Sequence, residues 1–222
     1  GEVLGCVAKW MRPDVKVVVT FEGSIPPSKA KKYILQAIYR RVDVFVYISE
    51  YVRRERVILF PMLERLPGRI IYNGTARLEH SATELPSNAT YKILAVSFLS
   101  DLKNIITLVR AVAIVVHRGK RTNVMLDVIG DGPQRANLES LIRDLHVENN
   151  VHLLGYRDDV GAFLYQCNLF AHPSLAEGFG IVIPEAMLAE RPVIVANAGA
   201  LPELVIDGQS GLIVDPLDPE QW

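Results

Sequence analysis

Short apolar runs and longer amphipathic runs alternate from Val15 to Val214, and this alternation constrains the fold more than any single residue does. It is the pattern of a parallel sheet covered by helices, an α/β architecture. In the first part, strands are predicted at Val15–Thr20, Val42–Ile48 and Arg69–Tyr72. Helices fall at Lys29–Arg40 and across Glu50–Leu63, with Pro61 ending or kinking the second. Thr75–Thr90 is rich in Ser, Thr, Pro and Asn, and the linker is placed at 81–90. A fresh unit then begins at Tyr91, with strands at Ile93–Ser97, Asn123–Ile129, Val151–Gly155, Asn168–Ala171, Pro192–Ala196 and Gly211–Val214. Helices are expected between them at Asn104–Arg118, Gln134–His146, Asp158–Gln166, from near Ile181, and at Leu201–Ile206. The reading is a partial Rossmann-like domain over 1–80 and a Rossmann-like domain over 91–222. Ligands of the latter are expected at the carboxyl ends of its strands.

Composition narrows the class. Half of the 222 residues are apolar, enough to bury a substantial core. The longest apolar stretch, Ile105 to Val116, is interrupted by Arg110 and is too short to span a membrane. Cys6 and Cys167 are too few for a disulfide framework or a zinc site, the five histidines lack metal spacing, and no signal peptide is visible. A reduced, cytoplasmic setting is therefore the expectation, and the Asn73 and Asn88 sequons are read as turns. Charge is uneven. Residues 1–90 carry 14 Lys and Arg against 9 Asp and Glu, whereas residues 91–222 carry 10 against 16. The basic cluster (Lys29, Lys31, Lys32, Arg40, Arg41, Arg53, Arg54, Arg56) is either a solvated face or a site of attraction to an anionic membrane surface or a phosphorylated acceptor. Aromatic interleaving suited to base stacking is missing, which argues against nucleic acid.

The chemistry concentrates in His172-Pro-Ser-Leu-Ala-Glu177-Gly-Phe-Gly-Ile-Val-Ile-Pro-Glu185-Ala-Met187. A buried strand runs into a glycine-rich loop, Glu177-Gly178-Phe179-Gly180, and then into a helix whose first turn accommodates Pro184. Backbone N–H groups of Phe179, Gly180 and Ile181 would open that helix, where its dipole favours a phosphate. Glu177 before the phosphate position and Glu185 inside the helix would bracket a ligand with hydroxyls at both ends. A sugar nucleotide has that shape.

This Pro-Ser…Glu-Gly-Phe-Gly…Pro-Glu-Ala-Met segment resembles that of the retaining glycosyltransferases of the GT-B fold, the large family with phosphatidylinositol mannosyltransferases and sucrose and glycogen synthases. The resemblance covers nearly the whole chain, strongly from Ile93 to Asp218. It implies that Glu177 touches the donor sugar at the reacting end and Glu185 holds the ribose hydroxyls. Family members clamp the donor diphosphate with an arginine and a lysine in the loop after the second domain's first strand. Val96-Ser-Phe-Leu-Ser-Asp-Leu-Lys103-Asn aligns there, so Lys103 is in place and Phe98 stands where the arginine would be. Gly130-Asp-Gly-Pro133 is read as a strand-to-helix turn at the site. Gly155-Tyr156-Arg157-Asp-Asp matches the segment lying against the nucleobase, with Asp158 and Asp159 also favouring a helix N-terminus. Glu22 occupies a place where the family often has a cleft histidine, and Asn73-Gly74 resembles the turn that ends its first domain. His172 is assigned to the rim of the site or to the core. The chain begins with what looks like the middle of the first domain and ends where a long helix would follow, so a fragment is expected.

The resemblance implies a hexosyltransferase moving sugar from a nucleotide-diphosphate donor to a hydroxyl of a saccharide, lipid-linked or small-molecule acceptor. Configuration would be retained, and neither metal nor cofactor would be needed. The alternative is a non-catalytic sugar-nucleotide-binding or scaffolding module derived from such an enzyme, favoured by Phe98 and Glu22.

Overall fold

The computed structural model describes residues 9, 11, 12, 14–23, 27–75, 90–119 and 121–222. Cys6 and the expected linker, save Thr90, lie outside them. The chain divides into two compact units, Gly1–Asn73 and Gly74–Trp222.

In the first unit, β1 (Val18–Phe21), β2 (Val44–Tyr47) and β3 (Gly68–Ile70) form a parallel sheet in that order. Crossovers run through α1 (Lys29–Tyr39) and α2 (Glu50–Leu59). Both helices start at serine caps: Ser28 Oγ accepts from the Lys31 N–H, and Ser49 Oγ accepts from the Val52 N–H at 3.0 Å. α2 stops at Leu59 because Phe60, which precedes Pro61, leaves helical geometry for an extended backbone. A 3-10 turn follows over Pro61–Arg65. The core is aromatic. Phe21, Tyr39, Phe45, Tyr47 and Phe60 are all buried, with Phe21 stacked on Phe45 at 5.7 Å. Three members of the predicted basic cluster are engaged internally, Lys32 through its ammonium over the Phe60 ring at 5.9 Å. Arg56 lies over the Phe21 ring and donates to the Gly23 carbonyl, and Arg53 pairs with Glu50. Lys31, Arg40, Arg41 and Arg54 remain exposed. Glu22, just past β1, is exposed as well.

The second unit is a six-stranded, wholly parallel sheet. Its strands are β4 (Tyr91–Val96), β5 (Val124–Ile129), β6 (Val151–Gly155), β7 (Leu169–His172), β8 (Val193–Ala196) and β9 (Leu212–Val214). They lie in the order β6-β5-β4-β7-β8-β9. Side-chain alternation splits the strands between two apolar layers. Ala95, Leu126, Val128, Ala171 and Ile194 face α3 (Ile105–His117) and α4 (Arg135–Asp144). Leu94, Phe170, Val193 and Val195 face α5 (Val160–Gln166), α6 (Val182–Leu188) and α7 (Leu201–Leu204). Because both faces are covered, β8 is buried at all four positions, as expected of an interior parallel strand.

The chain winds outward from β4 on one side and, after β7, on the other. The β4/β7 boundary is therefore the topological switch point, where loops after neighbouring strands diverge and leave a crevice. One expectation needs correcting. α5 begins at Val160, not at Asp158, and the Asp159 side chain makes no cap to it. Instead Arg157 donates to both Asp159 carboxylate oxygens, at 2.8 and 2.6 Å.

Candidate active site

The loops at the carboxyl ends of β4, β5, β7 and β8 are tied to one another by backbone hydrogen bonds. Leu99, after β4, donates to Asp131 O at 2.9 Å and accepts from Gln134 N at 3.0 Å. The approach is close enough to demand glycine at 130, where a Cβ would fall 1.9 Å from Ser97 O. On the other side, Leu175 N donates to Leu102 O at 2.8 Å, and Ser174 Oγ donates to the same carbonyl at 3.2 Å. Asn104 Nδ2 reaches Pro173 O and Pro216 O, joining the loop after β9. Behind Glu177, Ala200 N donates to its carbonyl at 2.9 Å. Gly199 passes so near that a Cβ would lie 2.5 and 2.6 Å from Glu177 O and N. Its φ is also positive, a conformation that glycine adopts freely.

These ties bring Lys103, in the 3-10 turn Asp101–Lys103, onto Glu177 across the switch point. Lys103 Nζ donates to Glu177 Oε2. His172, the last residue of β7, places Nε2 3.2 Å from the same oxygen. The cluster is largely out of water, with side-chain exposures of 24% for Lys103, 18% for Glu177 and 4% for His172. Burial acts to raise the Glu177 carboxyl, yet the His172 and Lys103 hydrogen bonds and the lysine's charge outweigh it and lower it to about 2. Glu177 is thus an acceptor at any physiological pH.

At the carboxyl ends of β4, β5 and β6 lies an open, mainly apolar cleft of about 600 Å³ lined by Phe98, Gly130, Tyr156, Arg157, Val160 and Val182, among others. Three residues predicted from sequence, Gly130, Tyr156 and Arg157, meet here. Tyr156 is 84% exposed and Phe98 61%, so both rings are presented to solvent and neither is core. The Arg157 guanidinium, by contrast, is held by Asp159 and lies over the Phe163 ring.

Glu185 sits in the first turn of α6, half-buried. Burial raises its carboxyl above the ordinary value, and a hydrogen bond with Thr75 acts the other way. Gly178, Phe179, Gly180 and Ile181 lead from Glu177 into α6, with the Phe179 ring buried. Pro184 is the third residue of that helix, where no intrahelical N–H partner is lost. Sequence reasoning gave no site role to Gly199 behind the carboxylate or to Asn104 between the loops, and it placed His172 at the rim of the site or in the core without pairing it with Glu177. Only His172 had a local signal, its place directly before the Pro-Ser of the glutamate segment. Among the described residues no group of three His, Cys, Asp or Glu is arranged to hold a metal ion, and no helix is long and apolar enough to cross a membrane.

The family model described as "Glycosyl transferases group 1" matches residues 77–222, well over half of the chain. The chain belongs to this glycosyltransferase family. An uncharacterised glycosyltransferase of Methanocaldococcus jannaschii is 28% identical over 228 residues, spanning 97% of this chain and 59% of that protein. The D-inositol 3-phosphate glycosyltransferase of Corynebacterium glutamicum is 32% identical over 221 residues, 90% of this chain and 52% of that enzyme. Among solved structures, Anabaena HepE in complex with UDP-glucose superimposes with a TM-score of 0.82 at 26% identity, over 99% of this chain and 63% of HepE. The architecture is GT-B, and the chain spans about half to three-fifths of the length of these relatives.

Proposed function

We propose that the protein carrying this chain transfers a hexosyl group from a nucleotide-diphosphate sugar to an acceptor hydroxyl, with retention of anomeric configuration. The observation that carries the reading is the buried Lys103–Glu177 contact at the switch point of a glycosyltransferase fold. Glu177, permanently ionised, accepts from hexose hydroxyls at the reacting end. Glu185 accepts from the ribose hydroxyls. The cleft at Gly130, Tyr156 and Arg157 takes the base, through backbone atoms and the exposed Tyr156 ring. Gly178 through Ile181 and Lys103 take the diphosphate.

In the reaction the bond from the anomeric carbon to the β-phosphate oxygen loosens first, and its electron pair leaves with the phosphate. Lys103 and the backbone amides opening α6 stabilise that developing charge. The acceptor oxygen bonds to the anomeric carbon on the same face, and its proton passes to the departing phosphate. Protein cations and amides do the neutralising, so the step is metal-independent. Relatives in the family act on acceptors as different as an inositol phosphate and a polyprenyl-diphosphate-linked saccharide. A saccharide, lipid-linked or small-molecule acceptor is proposed here. The exposed Lys31, Arg40, Arg41 and Arg54 would supply a peripheral contact with an anionic membrane, tested by salt-sensitive binding to anionic vesicles.

The test of the central reading is turnover of UDP-, GDP- and ADP-sugars by the full-length protein, with the anomer of the product assigned by NMR. An α-linked product from an α-linked donor is the expected result, and inversion would refute retention. Phe98, exposed where family members carry an arginine, favours a second reading, a sugar-nucleotide-binding module without turnover. Binding of donors with no product from any acceptor would establish it.

A further inference from the structure

We infer that His172 is a positioning residue for Glu177, the fixed anchor that holds its carboxylate while Lys103 is drawn onto the donor diphosphate. The inference rests on the reading of Glu177 as the group that meets the donor sugar. Both donors converge on one atom. His172 Nε2 and Lys103 Nζ approach Oε2, and among the described residues no donor reaches Oε1, which leaves that oxygen for a ligand. The two donors differ in how firmly they are held. Lys103 is an ammonium on a flexible four-carbon stem, a quarter exposed, in the loop that would also serve the diphosphate. His172 is 4% exposed and its ring is stacked on Phe170 at 6.2 Å and 17°. Its backbone is paired with Val195 in the sheet, so a bound ligand has no route to displace it.

The hydrogen-bond chemistry fixes which nitrogen donates. An ionised carboxylate can only accept, so the ring proton is on Nε2. Nδ1 is buried and meets no polar partner, a place that suits a bare ring nitrogen better than an N–H. The imidazole therefore serves as a one-directional donor aimed at Oε2. It stabilises the orientation of Glu177 and touches no substrate.

The experiment uses the full-length protein and the nucleotide sugar, from a UDP-, GDP- and ADP-sugar panel, that the wild type turns over fastest. His172→Leu should lower kcat about tenfold or more with little change in KM, and His172→Gln, whose amide can still donate, should recover much of it. In a Glu177→Gln background, His172→Leu should cost nothing further, since residues acting through one another are not additive. Nitrogen NMR of the free protein should show His172 protonated at Nε2 alone. Additive losses in the double variant, a proton on Nδ1, or Gln as damaging as Leu in a folded protein would each overturn the proposal. Should Glu177→Gln leave turnover intact, or should no donor be turned over, the reading of Glu177 fails instead. The tautomer still decides whether His172 donates to it.

Discussion

Replacing Lys103 by Met tests whether the ion pair is built into the free protein. The Glu177 carboxyl is lowered from an ordinary 4.5 to about 2, although burial acts in the opposite direction. A gap of that size corresponds to roughly 3 kcal/mol of stability at neutral pH. The Glu177 side chain is 18% exposed. Solvent screening therefore removes little of that stability. Lys103 supplies one of the two hydrogen bonds and the full positive charge beside the carboxylate. Lys103→Met should accordingly cost about 1.5–2 kcal/mol at pH 7. For a protein of this size that is a fall in Tm of about 3–8 °C. The pH dependence follows from the sign of the shift. A depressed carboxyl contributes stability that is fully present above 4.5 and is lost as pH falls through about 2. The gap between wild type and variant should therefore hold from pH 7 to 5 and narrow only as pH falls through the variant's own Glu177 value, which lies between about 2 and 4.5. Urea denaturation at pH 7, 5 and 2.5 measures it. A gap that stays constant down to pH 2.5, or no gap at pH 7, would refute the electrostatic argument.

Other perturbations separate the parts of the site. Glu177→Gln should reduce turnover far more than nucleotide affinity and Glu185→Gln the reverse, each by about 1.5–3 kcal/mol, read from kcat and from calorimetric Kd. Because burial disfavours the charge on Glu185, its Gln variant should melt no lower than wild type without ligand. Gly199→Ala would press a Cβ into the Glu177 main chain at positive φ. A loss of about 2–4 kcal/mol in urea is expected. Binding of a nucleotide diphosphate should survive EDTA, and a loss of more than tenfold would contradict neutralisation by protein groups. The Phe98 ring is solvent-exposed, so its replacement buries no charge. Phe98→Arg should tighten the diphosphate relative to the monophosphate by roughly 1–3 kcal/mol. Equal affinities in a folded variant would mean that the loop does not serve the phosphates.

The alternation of apolar runs carried the two-sheet architecture because strand and helix periodicities are local, and every predicted strand appears within a few residues of its place. What alternation cannot encode is order. Lys103 and Glu177 stand 74 residues apart and become partners only because β4 and β7 are neighbours, a pairing decided by the whole sheet. Family resemblance nominated both residues without saying that they touch. The same gap explains Arg157, whose motif pointed into the cleft while Asp159, two positions on, captured its guanidinium. It explains His172 most directly. A histidine at the end of an apolar strand reads as core, and burial bears that out. Yet strand alternation alone does not tell that its outer nitrogen meets a carboxylate five residues ahead, since that depends on the turn returning Glu177 over the strand end. That return is secured by Gly199 from one side and Leu102 from the other, neither adjacent in sequence. Local pattern thus identified which residues could do chemistry. The long-range loop contacts determine which do it together, and they place the most buried of the three, His172, where no ligand can compete for it.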